Sequence, residues 1–172
     1  LHADQNVVTF FFALFSIGLA LGSLLCVKIS KNKHHTYQIY PSLLGITIFT
    51  LDIFISSPAH VIRSSNSLVS IQAFLSNWHY YGVIIDFTCI AIFGGLYTVP
   101  LYTLLQTKTN PIHRARVIAF NNIMNALFMM ISAGAIMLLA GWNSPPSYIL
   151  LLLALGTGVV TLFLYQHRHE MV

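Results

Sequence analysis

An all-α integral membrane protein is the fold class this sequence predicts, and three observations carry it. Charged side chains make up only 7% of the 172 residues while 56% are hydrophobic, against about 25% charged in an ordinary soluble domain. Eight Lys or Arg and four Asp or Glu are too few to clothe a soluble globule of this size. The apolar residues fall in five continuous stretches, each near the ~20 residues a helix needs to cross about 30 Å of hydrocarbon. Continuous runs point to helices, because barrel strands alternate in polarity over about ten residues. Disorder is excluded by the same composition, since disordered chains are poor in apolar residues.

The whole chain, 1–172, reads as one transmembrane region. Its first span, 7–27, has no basic stretch before it and runs into a basic cluster, so it is not a cleavable signal peptide. A short loop, KISKNKHHT, leads to the second span, 37–55, which holds Asp52 near its outer end. The Ser-rich connection 56–79 places Leu68, Ile71, Phe74, Leu75 and Trp78 at helical spacing. It is either an amphipathic helix on the membrane surface or an ordinary packed loop.

The third span, 80–105, is the most informative. Asp86 lies about two turns inside it, and Asp86, Ile90, Phe93, Tyr97 and Leu101 form one helical stripe. Gly94 and Gly95 permit close helix approach, and Pro100 removes a backbone hydrogen bond and can kink the inner half. Gating and plain packing both use such residues. The loop QTKTNPIHRAR follows, with Asn110-Pro111 as its turn. In the fourth span, 117–140, Asn121 and Asn125 share a face that Phe128 and Ser132 continue, while Asn122 points about 100° away. Three amides so close together either hydrogen-bond a neighbouring helix or line a polar vestibule. The tight turn GWNSPP leads into the fifth span, 147–165.

Orientation follows from the cations. With alternating spans, Lys28, Lys31, Lys33, Lys108, Arg114, Arg116 and Arg168 share one face, and only Arg63 lies opposite. The positive-inside rule makes that face cytoplasmic, with the C-terminus inside. An odd number of spans starting outside at Leu1 leads us to expect the C-terminal part of a larger membrane protein.

Catalytic and cofactor chemistry is not expected. The chain has no GxSxG, HExxH, CxxC or P-loop motif. The pairs His34-His35 and His167-x-His169 lack metal-ligand spacing and read as solvated loop residues. Cys26 and Cys89 fall in apolar stretches near opposite faces, which disfavours a disulfide. Scattered cations without a basic aromatic face exclude nucleic acid as a partner. Ionisable groups inside a span are the default functional suspects. Of the two acids there, Asp52 reads as interfacial, whereas Asp86 either faces a polar cavity or pairs with a buried group, with partners expected outside these residues.

The run GLALGSLLCVKISK, with Gly18 and Gly22 leading into a basic loop, resembles the loop motif between helices eight and nine of major facilitator superfamily transporters. Five spans ending in the cytoplasm match helices eight to twelve of that twelve-helix fold. The tracts GGLYTVPLYTLLQ and RARVIAFNNIMNALFM are similar to the bacterial lysophospholipid transporter branch, including forms fused to a phospholipid acyltransferase. The loop after Gly22 departs from the family pattern by lacking its acidic residue, which puts a latch role for Lys28, Lys31 and Lys33 in doubt. The resemblance implies a secondary transporter of the bacterial inner membrane that moves lysophospholipid or a similar amphiphile by alternating access. Its partners would be the missing N-terminal half, the bilayer and an attached acyltransferase. It also implies that Asp86, Tyr97, Asn121 and Asn125 line the cavity and that Arg114 and Arg116 meet lipid phosphates. A drug or metabolite exporter of the same superfamily shares the topology. A non-transporting anchor for an attached enzyme is the alternative of another class.

Overall fold

The computed structural model describes residues 5–30, 38–56, 80–142 and 147–166. Among these residues the chain forms five helices: α1 (Gln5–Ser30), α2 (Ile39–Ser56), α3 (Tyr81–Lys108), α4 (Arg114–Gly141) and α5 (Ser147–Gln166). All five are long and apolar enough to cross a membrane. Each expected span coincides with one helix, and the ends differ by at most three residues. The segment 68–78, read as either a surface helix or a packed loop, lies outside the described residues, as do Lys31, Lys33 and both histidine pairs.

Hydroxyl-bearing residues sit inside these helices without breaking them because their donors are satisfied locally. Ser16, Ser23, Thr47, Thr50, Thr88, Thr98, Ser132 and Thr161 each donate to the carbonyl four residues back. In hydrocarbon, where no water can serve a free donor, this is the cheapest arrangement. Helix α3 continues through Pro100, which is fully buried, so the proline neither ends nor interrupts the helix.

The helices alternate in direction and pack in an order different from that of the chain. Helix α3 lies between α1 and α2, and α5 covers the other side of α2. Glycines make the α1–α3 seam. A Cβ on Gly22 would overlap the carbonyl of Ile92, one on Gly95 would overlap the carbonyl of Leu19, and one on Gly18 would come within 2.7 Å of the Ala91 Cβ. Four residues separate Gly18 from Gly22, the spacing that lets two membrane helices touch backbone to backbone. The α2–α3 seam is larger-grained: Phe93 lies over Gly45 and stacks on Phe49 with ring centroids 5.8 Å apart. Tyr40 against Tyr165, at 5.4 Å, joins α2 to α5.

Helix α4 stands apart. It touches α3 only slightly and buries none of its residues. From Arg114 to Trp142 it rises about 42 Å, close to the 40–45 Å of a bilayer with its headgroups. Cations mark one end of this span and an exposed Trp142 marks the other, the placement expected of interfacial anchors.

Candidate functional site in the membrane span

The alternating helix directions gather specific residues at each end. The end holding Tyr40 and Tyr165 also holds Lys28 in the last turn of α1, Lys108 in the last turn of α3, and Arg114 and Arg116 at the start of α4. All four cations among the described residues therefore share one end, called here the basic end. The far end contains a carboxyl pair and a crevice.

Asp86 is only 5% exposed. Its carboxyl lies next to that of Asp52 across the α2–α3 seam. Asp52 lies four residues before the end of α2 and Asp86 five residues after the start of α3. Antiparallel neighbours thus bring the two to one level, about 6–8 Å from the helix ends. The partner of Asp86 lies within this chain, on the residue that reads from sequence as merely interfacial. Equal distance from the ends of successive spans was the signal for this pairing.

Beside this pair, an open-sided crevice of about 500 Å³ enters the far end. Its walls include Phe11, Phe12 and Phe15 of α1, Ile53 of α2, Phe87 of α3 and Leu150 of α5. Phe87 anchors the aromatic wall, edge-on to Phe11 at 5.0 Å and tilted against Phe15 at 5.8 Å. Ile53 and Phe87 each directly follow one of the paired aspartates in sequence. The lining is almost wholly apolar.

The four residues expected to line one cavity do not lie together. Tyr97 is half-buried on α3, Asn121 is half-buried and Asn125 exposed on α4. Counting from the basic end, Tyr97 and Asn125 share a level about 16 Å in, whereas Asp86 lies about 33 Å in. None of the four lines the crevice. Gly95 is a contact point of the α1–α3 seam, while Gly94 meets only a Leu19 methyl at 3.7 Å. Cys26 and Cys89 are both free, one in each half of the span. Among the described residues no three His, Cys, Asp or Glu side chains lie together as metal ligands would.

One buried polar group was not anticipated. Gln38, just ahead of α2 at the basic end, is buried, and among the described residues its side-chain amide has no hydrogen-bond partner. Comparison with known proteins returned no matching family model, no matching curated protein and no matching solved structure.

Proposed function

We propose that this chain is the C-terminal part of a secondary transporter that carries lysophospholipid, or a similar amphiphile, across the bacterial inner membrane. In this reading the C-terminus is cytoplasmic, and helices from outside these residues supply the other half. The two halves rock around a path between them, the general mechanism of such transporters.

The observation that supports it best is Asn125. It is exposed on a helix with no buried residue, about 13–14 Å along the helix from Arg116 and so near the middle of the hydrocarbon. An amide at that depth is costly against lipid and is normally turned towards a cavity or a partner helix. A passive anchor has no use for it. The two sequence tracts that resemble the lysophospholipid transporter branch supply the substrate, and a path with few charged groups suits an amphiphile.

The test is uptake by spheroplasts expressing the complete gene product, with lysophosphatidylethanolamine compared against a cationic drug. Lysophospholipid uptake is expected, and Asp86→Asn and Asn125→Leu should each lower it without loss of membrane insertion. Drug uptake alone would replace the substrate assignment, and wild-type rates in both variants would remove these residues from the path. Vesicles containing only residues 1–172 should not transport; if they do, no second half is needed.

A further inference from the structure

We infer that α2 and α3 share a hydrogen-bond latch near the basic end, in which the Gln38 side-chain amide donates to the Leu96 carbonyl that Pro100 leaves open. The inference stands on these two helices alone and does not depend on the transport reading.

Register comes first. Phe93 of α3 lies over Gly45 and stacks on Phe49 of α2, and the two helices run antiparallel. Seven residues make two turns and return to nearly the same face. One such step towards the far end pairs Asp52 with Asp86, which are neighbours. One step towards the basic end pairs Gln38 with Pro100. Burial agrees, since Gln38 is 5% exposed and Pro100 is fully buried. The α1 seam takes the opposite face of α3, with Ala91 and Gly95. Gln38 is also held in helical register, because Ser42 donates to its main-chain carbonyl at 2.6 Å.

The chemistry of this layer is complementary. Both polar atoms of the Gln38 side chain are enclosed and have no hydrogen-bond partner among the described residues. Pro100 has no N–H, so the Leu96 carbonyl, four residues back, has lost its helical donor. A helical carbonyl points along the axis towards the residue four on, which sets this acceptor beneath Pro100 on the side of α2. The nearby hydroxyls are engaged elsewhere: Thr98 donates to Gly94 and Thr103 to Val99. A free donor thus faces a free acceptor about 12 Å in from Lys108. At that depth an unpaired group is costly, and a neighbouring helix is a common remedy for a proline. The structure shows the latch open. Closing it takes a turn of the Gln38 side chain and a slight bend of α3 at Pro100, where helices bend most readily.

A double-mutant cycle on the 172-residue chain in mixed micelles tests the latch, with Gln38→Leu and Pro100→Ala. If the amide has no partner in any state, replacing it by leucine should raise the unfolding midpoint whichever residue stands at 100. A latch gives the opposite sign. Gln38→Leu should then lower the midpoint by about 2–4 °C, and the loss should vanish alongside Pro100→Ala, which restores the helical donor. Additive effects would overturn the latch. A second readout is independent of stability. With carbonyl-13C leucine and 15N tyrosine, correlated carbonyl resonances come only from the Leu–Tyr peptides at 96, 101 and 164. Gln38→Leu should move the Leu96 carbonyl upfield, as loss of a hydrogen bond does, and leave Leu164 in place. An unmoved Leu96 resonance would show that the amide does not reach this carbonyl, and the latch would fall.

Discussion

Asp52 and Asp86 make a pair whose two members are not equivalent, since one is exposed and the other buried. Asp52→Asn keeps a hydrogen-bonding group in front of Asp86, whereas Asp52→Ala leaves a buried carboxyl without it. Thermal unfolding in detergent should therefore show Asp52→Ala destabilised by about 1–3 kcal/mol, the cost of orphaning a buried polar group, and Asp52→Asn by much less. Equal losses would mean that the two carboxyls do not depend on one another. The pair also marks where residue-level reading stops. Asp86 is identifiable as an intramembrane acid from the sequence alone, because a charge amid apolar neighbours is conspicuous. Asp52 is less conspicuous by itself, and only its match in level to Asp86 on the next span marks it as the partner.

At the scale of elements, the membrane helices were legible almost to their ends, because a run of apolar residues long enough to cross hydrocarbon has few other uses. Seams were less legible. Gly94 and Gly95 look equivalent in the sequence, yet only Gly95 touches the backbone of α1; one residue of rotation decides which side is crowded. Gly18 and Gly22 read as the approach to a loop, and in the fold they also sit against the backbone of α3. Two leucine substitutions separate these cases. Gly22→Leu must push α1 away from Ile92 and should destabilise the chain by about 1–3 kcal/mol or more, the usual range for overpacking. Gly134→Leu on α4 meets open space and should change stability by about 0.5 kcal/mol at most, as at other open surface positions. Chemical denaturation in mixed micelles measures both, and similar losses would refute the assigned seam.

For the whole molecule, the collection of Lys28, Lys108, Arg114 and Arg116 at one end is the observation on which the proposed cytoplasmic C-terminus rests. A fluorescent protein that matures only in the cytoplasm, fused after Val172, should light up. A periplasm-dependent phosphatase inserted within 57–79 should be active. A dark fusion with an inactive phosphatase would invert the topology. Asp86, Tyr97, Asn121 and Asn125 were expected to line one cavity, but residue counts from the turn between α3 and α4 put Asp86 about 17 Å deeper than Tyr97 and Asn125. The order of helices in space was hidden, since apolar periodicity says which residues leave water and not which neighbour receives them.

That spatial order carries a kinetic consequence. Helices α1, α2 and α3 can close their seams as soon as α3 enters the bilayer, but α5 reaches its place beside α2 only after α4 has crossed the membrane. The contact between Tyr40 and Tyr165 thus closes one of the longest loops the chain can make, and long-range closures form late. Assembly should finish with α5 docking as a separate, slower phase, and an arrest of synthesis before Ser147 should leave a three-helix core already joined, with α4 inserted but unclaimed.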